Sequence, residues 1–310
     1  MKKIVYVFPG QASQYVGMGR ELYQYSDIVK QFYAQASELL GDDLAHTSFE
    51  GPADKLKQTK FTQPAILIHS LALLAIADGK LPVHTFAAGH SLGEYGALAL
   101  SGALSYEDAI TAVCTRAMLM EEACVINPGT MAAILALADD KLEEVVEAAS
   151  KKGIVTAANI NSALQVAVSG DFPAVEEACR LAKEAGAKRA VMLEVGGAFH
   201  SPLMASATDK MAACLDTLTI NDAKPPVIAN VTAAPSGGAD DIKSLLVKQI
   251  TSPVRWRDTM KFFMTEEIDT VVEIGPGKVL TGLAKRDMKG VELHNIDSLS
   301  DLESVLSTLS

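Results

Sequence analysis

A serine between two glycines is the strongest candidate for chemistry in this chain. Ser91 is the centre of Gly89-His-Ser-Leu-Gly93, a G-x-S-x-G pattern with a short apolar run before it and a helix-like run after it. A serine on a sharp strand-to-helix turn needs small neighbours, because its backbone is strained and passes close to other chain. The free N–H groups at the start of the helix could hold an oxyanion. The pattern also arises by chance in glycine-rich turns, but the flanking strand and helix favour a nucleophile.

A serine hydroxyl needs a base within hydrogen-bond reach, and histidine is the natural choice near neutral pH. His90 adjoins the nucleophile, so its side chain should point away from it. Three other histidines have positions typical of structural or solvated roles: His46, His69 and His84. His294 would suit the chain order of α/β-hydrolases, but it lies inside an apolar strand pattern. His200 lies in a loop directly after a predicted strand and is therefore the predicted base.

One arginine lies on the apolar face of a predicted helix. The helix should run from Ser105, a cap residue with an acid three positions later, to about Ala123. Arg116 follows Val113 by three residues and precedes Met120 by four, which places all three on one face. Such an arginine either extends along the edge of the apolar face towards water or pairs with an anion, and the spacing alone does not decide between them.

Short apolar strands, such as Val227 to Val231, alternate with helices, such as one from about Leu203 to Leu215, along most of the chain. This alternation predicts an α/β fold with a mostly parallel sheet. The first strand, Ile4 to Phe8, leads into a loop at the strand end where such folds gather ligands. From Met131 to Val195 the order changes to βαββαβ, the ferredoxin-like arrangement, with a turn predicted at Asn161 to Ala163. We therefore predict a large α/β-hydrolase-like domain of residues 1–125 and 197–310, and an inserted ferredoxin-like subdomain of residues 126–196.

Composition excludes several classes of protein. A net charge of −11 argues against a general nucleic-acid binder, which needs a basic face. The longest apolar run, Ala65 to Ala77, is shorter than the roughly 18 residues of a membrane span and contains a histidine. The four cysteines are scattered without metal-ligand spacing, as expected for reduced thiols in the cytoplasm. Gly275-Pro-Gly-Lys278 is no phosphate-binding loop, because Val279 follows the lysine.

The sequence resembles the malonyl-CoA:acyl carrier protein transacylase family over nearly its whole length. The matching pieces are Phe8–Gln14, Gln63–Ala65, Gly89–Glu94, Arg116, Asn161 with Gln165, Ala198–Ser201, Asn230–Val231, Gln249 with Ser252–Trp256, and Glu273–Leu280. So many motifs in the right order are far more specific than G-x-S-x-G alone.

The resemblance implies a catalytic dyad of Ser91, the nucleophile, and His200, the base. The main-chain carbonyl of Gln249 would orient the imidazole, so no aspartate is needed. The oxyanion donors would be the main-chain N–H groups of Gln11 and Leu92.

The resemblance also implies how the substrate is held. Arg116 would pair with the free carboxylate of a malonyl group, because a guanidinium fork fits a carboxylate with two parallel hydrogen bonds. Asn161, Gln165 and Phe199 would bind the substrate, and the inserted subdomain would form one wall of the cleft. The sequence departs from the family at Ala12, where glycine is usual, and at Ala163-Leu164, which replaces a commoner Pro-Gly.

The implied activity is transfer of a malonyl group from malonyl-CoA to the phosphopantetheine thiol of acyl carrier protein, through a malonyl-serine, in fatty acid biosynthesis. The enzyme would be cytoplasmic and monomeric, without cofactor or metal, and would bind neither nucleic acid nor membrane. A trans-acting malonyl acyltransferase serving a polyketide synthase would use the same chemistry. An acyl hydrolase is disfavoured by Arg116, which hydrolytic family members lack, and a non-catalytic carrier-protein docking module by the presence of both Ser91 and His200.

Overall fold

The computed structural model describes residues 2–309, and in that part of the chain nine strands form two separate sheets. The strands are β1 Ile4–Phe8, β2 Phe86–Gly89, β3 Thr130–Leu135, β4 Val155–Ser162, β5 Gln165–Gly170, β6 Arg189–Met192, β7 Val227–Ile228, β8 Thr270–Ile274 and β9 Glu292–Ile296. The helices between them are α1 Arg20–Tyr25, α2 Asp27–Leu40, α3 Leu44–Glu50, α4 Ala53–Leu56, α5 Thr59–Ala77, α6 Gly93–Leu100, α7 Tyr106–Ile126, α8 Asp139–Ala149, α9 Phe172–Glu184, α10 Thr208–Asp216, α11 Ala239–Gln249, α12 Trp256–Thr265, α13 Val279–Asp287 and α14 Leu299–Leu309.

The larger sheet is parallel throughout, in the order β7-β2-β1-β8-β9. Its central strand β1 is buried at every position, as expected for a strand covered by helices on both faces. Pairing of Phe8 with Gly89 brings the ends of β1 and β2 side by side. The loops that follow these two strands therefore meet at one edge of the sheet, and the predicted α/β fold with a parallel sheet is confirmed.

The smaller sheet is antiparallel, in the order β4-β5-β3-β6. Helices α8 and α9 pack beside each other and share with this sheet a hydrophobic core of its own, built from residues such as Ile134, Val145 and Val168. The βαββαβ arrangement is thus confirmed. The division of the chain at residues 126 and 196 stays a prediction: α7 ends at Ile126 and β6 at Met192, and residues 1 and 310 lie outside the described part.

Three local predictions were wrong. Asn161 lies in β4, not in a turn, because Ser162 still pairs with Gln165 and leaves a two-residue connection, Ala163-Leu164. The strand predicted for Val227 to Val231 ends at Ile228, where the backbone turns back on itself and the N–H of Ala233 bonds to the carbonyl of Ala229. The helix expected from Leu203 begins as a 3₁₀ turn, Pro202–Ala207, before α10.

Helix α5 is the element that most resembles a membrane span by length and composition. The structure explains its apolar sequence differently, because 83% of its most apolar 18-residue window is buried inside the protein. It packs closely against α7, the helix that carries Arg116. The apolar run is therefore a core helix that supports the site.

Candidate active site

Ser91 lies on a tight turn between β2 and α6. Its φ is +54°, in the left-handed region. A Cβ on Gly89 would lie 1.9 Å from the main-chain carbon of Gly93, and a Cβ on Gly93 would lie 2.2 Å from the carbonyl oxygen of Phe8. Both positions therefore require glycine for close approach of backbone to backbone. The turn presses the start of α6 against the end of β1 and leaves the serine at the sheet edge.

His200 meets Ser91 in hydrogen-bonding geometry. The distance from Ser91 Oγ to His200 Nε2 is 2.7 Å, and His200 Nδ1 lies 2.8 Å from the carbonyl oxygen of Gln249. Because a carbonyl only accepts, Nδ1 carries the proton and Nε2 is free to accept from the serine. His200 is 3% exposed, and this burial, reinforced by the positive charge of Arg116, lowers its pKa from 6.5 to about 3. The imidazole is therefore neutral at physiological pH.

Two main-chain N–H groups near Ser91 have no acceptor in the described part of the chain. They belong to Gln11, in the loop after β1, and Leu92, at the start of α6, and both residues line the cavity beside the serine. The N–H of Ser91 itself is not available, because it donates to Asn230 Oδ1 at 2.7 Å. Ala12 holds a φ of +84° and donates its N–H to Gln14 Oε1 at 2.8 Å. The residue that departs from the family pattern thus has a glycine-like backbone.

Arg116 is buried, at 1% exposure, with its guanidinium beside Ser91 Oγ. Its Nη2 donates to Ser91 Oγ at 3.0 Å and to Gln249 Oε1 at 2.9 Å, and its Nη1 donates to Gln63 Oε1. Its Nε has no partner among the described residues. Of the two possibilities that the spacing left open, extension along the surface is ruled out, because the guanidinium is buried beside Ser91.

Two residues of the site were not assigned a role from the sequence. Glu94, in the first turn of α6, is 3% exposed, and its Oε2 accepts from the Gln249 Nε2 at 2.8 Å and from the main-chain N–H of Asn230 at 3.1 Å. Asn230 follows β7 and also donates its Nδ2 to the carbonyl of Gly89 at 2.6 Å. Burial raises the pKa of Glu94 to about 7, and the donated hydrogen bonds oppose that rise. The sequence does contain a signal for Glu94, because this residue is an acid at the start of an otherwise apolar helix.

A cavity of about 410 Å³ opens over Ser91 between the two sheets. The substrate-binding residues predicted from the resemblance, Asn161, Gln165 and Phe199, all line it. Asn161 Oδ1 is already engaged by His90 Nε2 at 2.8 Å, so the ring of His90 bridges to β4 and lines the same cavity as Ser91. Much of the remaining wall is apolar and includes Met120, Met131, Leu193 and Val195, and Gln63, Asn159 and Arg286 also line it.

The remaining candidates lie elsewhere. His294 pairs with Glu292 on β9, and His69 pairs with Asp297, so neither is placed to serve Ser91. Within residues 2–309 no group of three or more His, Cys, Asp or Glu could hold a metal ion, and the four cysteines are unpaired. The chemistry available at this site is that of a neutral Ser–His pair with a cationic neighbour.

The chain is similar to known proteins over nearly its whole length. The model of the acyl transferase domain family matches residues 5–302. The chain is 42% identical, over 100% of its length and 98% of the relative, to a Bacillus subtilis protein named malonyl CoA-acyl carrier protein transacylase. A protein of the same name from Haemophilus influenzae is 39% identical over 99% of this chain and 100% of the relative.

Solved structures show the same similarity. An acyl carrier protein S-malonyltransferase from Vibrio cholerae superposes with a TM-score of 0.91 at 40% identity, covering 98% of this chain and 99% of the other. The malonyl-transacylase PlMCAT, solved in complex with the type II polyketide synthase acyl carrier protein AntF, has a TM-score of 0.93 at 36% identity, with 99% of each chain covered.

Proposed function

The chain belongs to the acyl transferase domain family, and from that premise we propose that Ser91 carries a malonyl group between two thiols. The protein is an acyl carrier protein S-malonyltransferase: it transfers malonyl from malonyl-CoA to acyl carrier protein in fatty acid biosynthesis. One observation supports the proposed residue roles: His200 and Arg116 both lie within hydrogen-bonding distance of Ser91 Oγ.

In the first half-reaction, His200 Nε2 takes the proton of Ser91 Oγ as that oxygen attacks the thioester carbonyl of malonyl-CoA. The N–H groups of Gln11 and Leu92 stabilise the tetrahedral oxyanion, and losing one such donor typically costs about 10²–10³ in rate. The C–S bond then breaks, His200 returns the proton to the departing CoA sulfur, and malonyl stays on Ser91 as an ester.

In the second half-reaction, the phosphopantetheine thiol of the carrier protein attacks the ester. His200 takes the thiol proton and gives it to Ser91 Oγ as the C–O bond breaks, which restores the starting state. Arg116 holds the malonyl carboxylate, because its guanidinium lies beside Ser91 Oγ and a planar guanidinium can bind a carboxylate in a bidentate manner. An acetyl group would leave that buried charge unpaired.

Two alternatives differ from this proposal in identifiable ways. A polyketide carrier protein would be served by the same chemistry, and the similarity to a transacylase solved with such a carrier keeps that partner as a second candidate. Hydrolysis is disfavoured, because Arg116 selects a carboxylated acyl group and the wall of the cavity is largely apolar. We also propose that the protein acts as a monomer in the cytoplasm.

Intact-mass measurement after mixing with malonyl-, methylmalonyl- or acetyl-CoA tests the residue roles. We expect stable labelling mainly by malonyl, no label on Ser91→Ala, and a larger loss of malonyl than of acetyl labelling in Arg116→Ala. Full labelling of Ser91→Ala would contradict the role of the nucleophile. Equal losses of the two acyl groups in Arg116→Ala would contradict the role of the arginine.

A further inference from the structure

The Glu94 carboxylate is a buried acid within the site that takes no part in the acyl-transfer steps. It is 3% exposed and lies in the first turn of α6, a helix whose described residues are buried almost throughout. Burying a carboxylate is costly unless hydrogen bonds stabilise it. The carboxamide of Gln249 and the main-chain N–H of Asn230 donate those hydrogen bonds to Glu94.

The hydrogen bonds of Gln249 fix which way its carboxamide faces. Its Nε2 donates to Glu94 Oε2 at 2.8 Å and to the carbonyl of Ser91 at 3.0 Å. Both of these partners accept, so the amide nitrogen must face them, and the amide oxygen must face the other way. A flipped amide would set its oxygen against the Glu94 carboxylate and its N–H groups against the Arg116 guanidinium, which are two repulsive contacts.

In this orientation the amide oxygen of Gln249 holds Arg116 through a hydrogen bond. Gln249 Oε1 accepts from Arg116 Nη2, the same nitrogen that donates to Ser91 Oγ. In the described chain no carboxylate oxygen bonds to the guanidinium directly, and Glu94 is the carboxylate whose charge acts on the pKa of Arg116. A continuous path of hydrogen bonds therefore runs from Glu94 through Gln249 to Arg116.

We propose that Glu94 is a positioning residue for acyl-group selection: it locks the Gln249 carboxamide so that the amide oxygen holds the Arg116 guanidinium beside Ser91. The inference rests on the proposed function, in which Arg116 receives the malonyl carboxylate. Glu94 then favours carboxylated over uncarboxylated acyl groups without touching either. Gln63 supports the other terminal nitrogen of Arg116, so the loss of Glu94 loosens the guanidinium without releasing it.

The test compares Ser91 acylation by malonyl-CoA and by acetyl-CoA, measured as kcat/KM from CoA release. Glu94→Leu removes the acceptor at similar volume, and we expect about a 30-fold loss with malonyl-CoA against at most about threefold with acetyl-CoA. Glu94→Gln keeps an acceptor oxygen and should lose less than about fivefold with malonyl-CoA. Equal losses with the two substrates in Glu94→Leu would overturn the proposal.

A double-mutant cycle shows whether Glu94 acts through Arg116. In an Arg116→Ala background, Glu94→Leu should cause no further malonyl-selective loss, because the group that it positions is gone. The full malonyl-selective loss in that background would overturn the proposal. Glu273→Gln is the matched control: Glu273 is also buried but bonds to the start of α13, so it should affect both substrates by the same factor.

Gln249→Met gives a second measurement if Glu94→Leu does not fold. It keeps the main-chain carbonyl that orients His200 and removes the carboxamide, so it should reproduce the malonyl-selective loss. Equal losses with the two substrates in Gln249→Met would again overturn the proposal. One outcome would refute the role of Glu94 and leave the proposed function standing. In that outcome the wild-type protein prefers malonyl and Arg116→Ala loses the preference, but Glu94→Leu and Gln249→Met keep it.

Discussion

At the scale of single residues, the environment of His200 decides how the reaction depends on pH. Only the neutral imidazole can accept the serine proton, and burial together with the charge of Arg116 lowers the pKa of His200 to about 3. Protonation of His200 therefore reduces activity only as pH falls through that low value. Protonation of His200 by itself should leave at least about half of the pH 7 rate of Ser91 acylation at pH 5, where an unperturbed imidazole would be neutral in only about 3% of molecules.

Glu94 titrates near neutral pH, so the same profile should be measured in Glu94→Gln. Stopped-flow release of CoA over pH 4.5 to 8 supplies both curves. A one-proton fall in rate centred near pH 6.5 in both proteins would show that His200 is not shielded as the structure indicates.

Ala12 is a residue whose backbone conformation conflicts with its side chain. A left-handed φ of +84° costs an alanine roughly 1–2 kcal/mol, whereas glycine adopts it freely. Since glycine also loses more chain entropy on folding, we expect Ala12→Gly to raise the free energy of unfolding by about 0.5–1 kcal/mol in urea denaturation. Ala34→Gly is the matched control, because Ala34 is exposed in the middle of α2, where glycine should cost about 1 kcal/mol. A loss of stability at both positions would contradict the strain expected at Ala12.

At the scale of elements, α7 is positioned by its own cap. Ser105 Oγ accepts from the main-chain N–H of Asp108 at 2.9 Å, as the sequence pattern predicted. Ser105→Ala should therefore lower the free energy of unfolding by about 1 kcal/mol. Ser26 begins α2 without a side-chain cap bond, so Ser26→Ala should cost clearly less. The unfolding curves of the two variants test this prediction. Equal losses in the free energy of unfolding would mean that the Ser105 hydrogen bond contributes nothing.

Elements with regular patterns can be predicted from the sequence, and those held by distant partners cannot. The strand before Gly89, the buried helix α5 and the βαββαβ order follow from local periodicity and turn residues. Asparagine and serine favour turns, which predicts a turn at Asn161, whereas pairing across β4 and β5 keeps this residue extended. Strand β7 is shorter than its apolar pattern predicts, because its end depends on a hairpin-like return around Ala233 that no short pattern indicates.

The residues of the site also divide into those that local patterns predict and those that distant partners hold. Ser91 and His200 follow from a motif and from the choice among six histidines. Gln249 in α11, by contrast, lies 155 residues from its partner Glu94 and 133 residues from its partner Arg116. Residue type and spacing carry no information on such contacts. Spacing alone therefore leaves Arg116 ambiguous and gives Glu94 no role.

At the scale of the whole molecule, the two sheets enclose one cleft over Ser91. The larger sheet contributes Ser91 and the loop after β1, while β3, β4 and β5 of the smaller sheet contribute Met131, Asn161 and Gln165 to the opposite wall. His90 ties the two walls together through Asn161. Ser91 lines this cavity, and it does not line the other cavities described in residues 2–309.

That single cleft determines the order of binding. The arm of malonyl-CoA and the arm of the carrier protein must both bring a sulfur atom to Ser91, and a cavity of about 410 Å³ holds one acyl-thioester end at a time. We therefore expect CoA to leave before the carrier protein binds, with the malonyl group held on Ser91 as proposed above. Initial rates at several fixed carrier-protein concentrations should give parallel lines in double-reciprocal plots against malonyl-CoA. Free CoA, which occupies the same cleft, should compete with the carrier protein. Intersecting lines would require both substrates to be bound together and would contradict the expected order.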